Sequence, residues 1–131
     1  MFEGREPIYQ QIAEAIRGEI LSGALNEGDQ VMSTTQYAST YRINPATAAK
    51  AFAALESEGI LRKQRGMGTF VSDGAPEQLR SSRRQSFFAE RVDPLLRDAD
   101  VLGIGADDLA RYLLTSASDA SSATNTDQNN A

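Results

Sequence analysis

Two helix-start signals only eleven residues apart, at Ser33 and Asn44, constrain this chain more than anything else in it. Ser33 followed by Gln36 has the form of a capping box, in which the hydroxyl accepts the free amide of the third helical residue and Gln36 reaches back. The spacing predicts a helix from Thr34 with Tyr37, Ala38 and Tyr41 on one face. Asn44 is a favoured N-cap, and Pro45 suits a first helical position, where its missing N–H costs nothing. Only Arg42 and Ile43 lie between the two helices, so the chain must turn a sharp corner. The second helix is expected to bury Ala48, Ala51, Phe52 and Leu55 and to end at Gly59 in the left-handed conformation. Its other face carries Ala46, Thr47, Ala49 and Lys50, small or polar side chains left for solvent or a ligand.

After Gly59, two β-prone runs, Ile60 to Gln64 and Thr69 to Ser72, flank Arg65-Gly66-Met67-Gly68. Two glycines in four residues mark a hairpin tip. Alone this would be an ordinary solvated turn, but directly after a helix-turn-helix it reads as a wing, with Arg65 suited to a narrow, electronegative minor groove. Upstream, Ile8, Ile12, Ile16 and Ile20 recur every four residues with Ala15 beside them, which predicts a scaffold helix from Pro7 to about Ser22 closed by Gly23. Asn26-Glu27-Gly28-Asp29 then forms a turn into Gln30. The expected fold is mostly α with a small β-hairpin.

Several of these segments together resemble a known family. Pro7-Ile8-Tyr9-Gln10-Gln11-Ile12, Gly28-Asp29, Asn44-Pro45-Ala46-Thr47, Lys50-Ala51-Phe52, Leu55-Glu56, Gly59-Ile60 and Gly66-Met67-Gly68-Thr69-Phe70-Val71 resemble the GntR family of bacterial transcription regulators. The Asn-Pro-x-Thr start and the short C-terminal region look most like its YtrA subfamily. The resemblance is strong over residues 5 to 72 and looser from Leu102-Gly103 to Leu114. It implies a winged helix-turn-helix that binds double-stranded operator DNA in a homodimer, usually as a repressor, with a C-terminal part that dimerises and can sense a small-molecule effector. One departure stands out. The family's usual Pro-Ser-x-Arg is here Met32-Ser33-Thr34-Thr35, so a threonine occupies the place of an arginine that commonly touches DNA.

In a helix-turn-helix the second helix enters the major groove N-terminus first, which puts Asn44, Pro45, Ala46, Thr47 and Lys50 nearest base edges or flanking phosphates. Thr47 can offer a hydroxyl or a methyl contact to thymine, and Lys50 can serve guanine or phosphate. Ser33, Thr34 and Thr35 suit phosphate, Arg42 is a candidate phosphate clamp, and Arg65, Gly66 and Thr69 belong to the wing.

A net charge of -5 sits oddly with DNA binding, but the charge is unevenly placed. Arg42, Lys50, Arg62, Lys63 and Arg65 against Glu56 and Glu58 give a local balance of +3 over 42–71, whereas residues 3–29 balance to -4. Exposed charges are largely screened beyond about 8 Å at physiological salt, so a distant acidic face subtracts little. With neither cysteine nor histidine, the chain offers no disulfide, no histidine-based metal site and no nucleophile–base pair. No metal, cofactor or catalysis is expected, nor, in 131 residues, the pyridoxal-phosphate domain that some GntR relatives carry. With no apolar run of about 20 residues and no charged leader, the expected location is the cytoplasm, away from membrane. The remaining alternative is a winged helix repurposed for protein–protein contact without specific DNA binding.

Past Ser72 the expected organisation is a linker, Asp73-Gly74-Ala75-Pro76, then helices. Phe88, Val92, Leu95, Leu96, Ala99 and Leu102 keep a helical stripe, interrupted at Asp93-Pro94, which reads either as the start of a new helix or as a kink. Ala106 to Leu114 forms a last helix with Leu109, Tyr112 and Leu113 inward. These residues are the candidate dimerisation surface, since two or three short helices suit a two-fold isologous interface. Arg80, Arg83 and Arg84 read as a solvated basic face. The tail from Ser116 is polar and is expected to be disordered. The expected division is therefore a winged helix-turn-helix over 1–73, a helical dimerisation region with possible effector contacts over 74–115, and a tail over 116–131.

Overall fold

The computed structural model describes residues 4–129, and side-chain environments as far as residue 121. The chain divides into two compact units, residues 1–83 and 84–131.

In the first unit, helix α1 (Ile8–Ser22) is closed by Gly23, whose φ of 87° is the left-handed value that glycine takes without strain. Strand β1 (Gln30–Val31) leads to α2 (Thr34–Tyr41) and α3 (Pro45–Ser57), and then to β2 (Leu61–Gln64) and β3 (Gly68–Val71). Both helix starts form as the sequence requires. Ser33 Oγ accepts from Gln36 N at 3.1 Å, and Asn44 Oδ1 accepts from Ala46 N at 2.8 Å. The helices bury one face each in a common core: Ile12, Ile16 and Ile20 from α1, Tyr37 and Ala38 from α2, and Ala48, Ala51, Phe52 and Leu55 from α3. Ile60, Leu61 and Val71 close the core from the hairpin side.

The isoleucine stripe is shorter than expected. Ile8 is 47% exposed, because it lies in the first turn of α1 beyond the reach of the other helices, and Ala13 joins the buried set instead. The hairpin is also part of a larger sheet. β1 pairs antiparallel with β3, Gln30 opposite Phe70 and Val31 opposite Thr69, giving the order β1-β3-β2.

Asp73 and Gly74 form a turn, but Ala75 and Pro76 are not linker: they begin α4 (Ala75–Phe87), and Ala75 and Leu79 are buried in the core of the first unit. Gly74 N donates to Glu27 Oε1, and Gln78 Nε2 donates to the Glu58 carbonyl at 3.0 Å, which ties this segment to the wing domain. The compact unit accordingly ends near residue 83 rather than 73. Two of the three arginines expected to be solvated are paired, Arg80 with Glu77 at 2.6 Å and Arg83 with Glu14.

In the second unit, Phe88–Val92 is π-helical and passes into α5 (Asp93–Val101) without leaving the right-handed helical region, with Asp93 N donating to the Phe88 carbonyl. The proline is thus met by a wide turn just before it. Pro94 lacks the N–H that an α-turn would use, and the π-bulge re-registers the ladder around the gap. After Gly103, with φ 75°, helix α6 spans Ala106–Asn129. It extends far past Leu114 into the polar segment expected to lack structure; once a helix is nucleated, each added residue gains a hydrogen bond at small cost. Residues 130 and 131 of that segment lie outside the described residues. Ala99 is buried and Leu109 half-buried, but Tyr112 and Leu113, expected inward, are 69% and 51% exposed, since none of the described residues of the unit covers that face. No helix among the described residues is long and apolar enough to cross a membrane.

Leu55→Ala, at a fully buried site, is expected to cost about 2–5 kcal/mol of stability, whereas Ile8→Ala on the exposed first turn should stay within about 0.5 kcal/mol. Urea denaturation followed by far-UV circular dichroism compares the two directly.

Candidate nucleic-acid interface

The exposed face of α3 is fixed by its buried one. With Ala48, Ala51, Phe52 and Leu55 in the core, the 3.6-residue period leaves Asn44, Pro45, Ala46, Ala49 and Lys50 exposed and Thr47 half-exposed along the first two turns. The Asn44 side chain has its carbonyl oxygen committed to the cap, so its amide N–H groups are the part left to donate. Lys50 is not free-swinging: its Nζ lies 4.2 Å from the centroid of the Tyr9 ring on α1, a cation–π distance. Tyr9 itself packs against the core, so the scaffold helix holds the ammonium in place.

At the start of α2, Ser33 and Thr35 are exposed and Thr34 is half-buried. The Ser33 oxygen accepts the cap bond, which leaves its O–H as a donor. The corner between α2 and α3 rests on Arg42. It is the one non-glycine with positive φ among the described residues, at 55°, and its guanidinium is exposed. Its N–H caps α2 by donating to the Ala38 carbonyl, and Ile43 N donates to the same carbonyl at 2.9 Å. This left-handed corner residue brings the start of α3 close behind α2.

The wing tip is a tight turn, with Met67 N donating to the Gln64 carbonyl at 2.9 Å and Gly66 at φ 78°. Arg65 and Gly66 are exposed at the tip, and so is Met67. Thr69 departs from the expected wing set: at 7% exposure it faces inward, its position in the ladder set by Val31 on one side and Lys63 on the other. The exposed wing positions are instead Arg62 and Lys63 on β2, which the sequence supplied only as charges. Arg62 lies 5.3 Å from the Phe70 ring and donates to Gln64 Oε1 at 3.2 Å. Gln30 of β1 braces the tip, its Nε2 donating to the Met67 carbonyl at 3.1 Å. It sits so close over Gly68 that a Cβ there would meet Nε2 at 2.5 Å. No local sequence pattern marks Tyr9 or Gln30, because each acts across 37 or more residues.

Among the described residues, Arg42, Lys63 and Arg65 have no carboxylate partner. Elsewhere in the unit Glu14, Glu58 and Glu77 are paired with arginines. Arg17 donates to both oxygens of Glu58, through Nε at 3.2 Å and Nη2 at 2.5 Å, and to Glu14 at 3.3 Å. Burial works against the Arg17 charge, but the two carboxylates outweigh it and hold its proton affinity above the ordinary arginine value. No cluster of three or more metal-binding side chains occurs among the described residues.

The family model for bacterial regulatory proteins of the gntR family matches residues 8–71. The chain is 32% identical over 107 residues to the HTH-type transcriptional repressor YtrA of Bacillus subtilis, covering 82% of each protein. A solved structure, a GntR family transcriptional regulator from Listeria monocytogenes, superposes with a TM-score of 0.69 at 27% identity, over 87% of this chain and 98% of that one. A second, the DNA-binding domain of AraR in complex with operator ORX1, matches at a TM-score of 0.52 and 27% identity over 55% of this chain and 93% of that one.

The left-handed Arg42 costs roughly 1–2 kcal/mol relative to glycine in the folded corner, partly offset by glycine's greater freedom when unfolded. Arg42→Gly is therefore expected to match the parent or gain up to about 1 kcal/mol in thermal unfolding, despite removing a cation from the interface. A loss of stability would show that the guanidinium itself holds the corner.

Proposed function

We propose, since this chain belongs to the GntR family of bacterial regulatory proteins, that it is a cytoplasmic transcriptional repressor that reads a palindromic DNA operator as a homodimer. The carrying observation is the set of exposed polar and cationic groups at the start of α2, the Arg42 corner, the first turns of α3 and the wing tip. The likeness to a DNA-binding domain solved on its operator supports the same reading.

In this reading the start of α3 enters the major groove. Asn44, Ala46, Thr47 and Lys50 meet base edges or adjacent phosphates, with Pro45 starting the helix at the groove. Ser33, Thr34, Thr35 and Arg42 hold phosphates and so set register without reading sequence. Arg65 and Gly66 of the wing, with Lys63 behind them, follow the neighbouring groove. The Tyr9 ring limits where Lys50 can go, so the lysine arrives at DNA largely placed, and less side-chain entropy is lost on binding.

The second unit supplies the pairing surface. Phe88, Leu95, Leu96, Leu102, Tyr112 and Leu113 are all more than 40% exposed, more large apolar surface than a solitary unit ordinarily leaves in water. A second copy of the chain would cover these residues, together with the half-buried Val92 and Leu109 and the buried Ala99, across a two-fold axis. Two wing domains then address half-sites about one helical turn, roughly 34 Å, apart or a multiple of it. A small-molecule effector acting on this assembly fits the same reading.

Footprinting of the native promoter region should show a protected palindrome. Operator affinity should fall linearly in log–log form with salt, by a slope of about 0.9 per phosphate neutralised. Arg42→Gly should weaken every sequence alike and reduce that slope by about 1, whereas Thr47→Val should weaken only operators with the preferred base at its position, by about 1–3 kcal/mol. Absence of any protected site, with the protein folded, would remove the operator reading. Leu96→Glu should give monomers in sedimentation and at least a tenfold loss of operator affinity, with unchanged melting of the first unit; a monomeric variant that binds as tightly as the parent would remove the dimer requirement.

A further inference from the structure

The first unit contains a cavity that the proposed DNA surface does not use. It has a volume of about 180 Å³ and lies between α1, β1, α2 and α3, floored by aliphatic side chains and walled by Tyr37, Tyr41 and Phe52. Glu19, Gln30 and Met32 stand at its rim. We propose that this cavity binds a small organic cation, a quaternary ammonium or protonated amine of about choline's size.

Three features converge on that class. The aromatic wall comes first. Tyr37 and Tyr41 have ring centroids 4.5 Å apart and planes tilted by 43°, and Tyr37 meets Phe52 edge-on at 5.7 Å. Tyr37 and Phe52 are almost fully buried, so the half-buried Tyr41 is the ring most open to an alkylated ammonium, backed by the other two. The charge of the lining comes second. Among the described residues, Glu19 is the one charged residue lining the cavity, no lysine or arginine lines it, and the Glu19 carboxylate has no ion-pair or hydrogen-bond partner. Tyr37 keeps its proton, its pKa pushed up to about 12 by burial and then by Tyr41 and Glu19, so the phenol adds no second charge. An anion would be repelled by Glu19 and a neutral apolar molecule would gain nothing from it, whereas a monocation gains from both the carboxylate and the rings. Size comes third. The volume lies below the range of about 300–1,000 Å³ that holds drug-sized ligands, which limits the occupant to a small molecule.

The position gives such an occupant leverage. Gln30 lines the cavity and also braces the wing tip through Met67, Tyr41 precedes the Arg42 corner, and Phe52 follows Lys50 by two residues on α3. Any effect on operator binding rests on the function proposed above; occupancy of the cavity does not.

Titration calorimetry of the full chain without DNA, using choline and its neutral carbon isostere 3,3-dimethylbutan-1-ol, decides the matter. Saturable binding of choline, with the alcohol weaker by about fivefold or more, is expected. Glu19→Gln should weaken choline by about five- to tenfold and abolish the discrimination, and Tyr41→Leu should weaken it with the charge intact. Circular dichroism confirms that each variant is folded, and Glu19→Asp, which keeps the charge, should retain part of the preference for the cation. No saturable choline binding across the millimolar range, equal affinity for the alcohol, or an unchanged Glu19→Gln overturns the site. A protein that binds choline yet protects no DNA would instead count against the regulator reading alone.

Discussion

The first unit depends on α3 keeping one face dry. Ala48 and Ala51 are fully buried, and their small side chains let α1 and α2 approach, while Phe52 and Leu55 fill the space beyond them. Burying side chains such as Phe52 and Leu55 contributes about 1.5–3 kcal/mol each, and rotating the helix by a third of a turn would expose them and drive Lys50 toward the core, where an unpaired charge is far more costly. The rotational setting of α3, and with it the set of side chains presented to a groove, is therefore locked by packing rather than by the interface residues themselves. The Asn44 cap, and the left-handed Gly59 just past the C-cap Glu58, fix where the helix begins and ends, so its displacement along the axis is constrained as well.

Electrostatics then separates the two faces of a chain that is acidic as a whole. Arg17 lies between Glu14 and Glu58, and Arg83 shares Glu14, which places opposite charges together on α1, α3 and α4. Such exposed or half-exposed pairs add little to stability, but they quench acidic groups that would otherwise repel a phosphate backbone. At the corner and wing the cations are left without carboxylates. A net charge of -5 and a cationic reading face are compatible because the balance is local and the screening length short.

The sequence carried α1, α2 and α3 because each has a chemical marker at an end: a hydroxyl or amide cap, a proline in the first turn, or a glycine past the last. It also carried the buried face of α3 residue for residue. What it did not carry was pairing. β1 is two residues long, too short for any alternation, and exists because β3 offers it an edge at Thr69 and Phe70. Thr69 looked like a wing contact by its place near the tip, yet the strand's two-residue alternation turns it inward with Val71. The grip of Tyr9 on Lys50 and that of Gln30 on the wing tip join residues far apart in the chain, and no local pattern announces them. The proline at 94 marked an irregularity correctly, but not its form, since a π-turn and a kink leave the same trace in sequence.

The second unit is legible in the opposite sense: its pattern is clear, and its burial within one chain is slight. Ala99 is the one buried residue among those of this unit whose side chains are described. Helices gain most of their stability in water from packing an apolar face, and α5 and α6 leave most of theirs open. In the proposed assembly the missing packing comes from the partner, so order in this unit and association become one equilibrium, governed by protein concentration. The wing domain, with its own closed core, has no such dependence. A regulator built this way keeps a DNA reader that is folded at any concentration, and makes its use of two half-sites conditional on there being enough chains to pair.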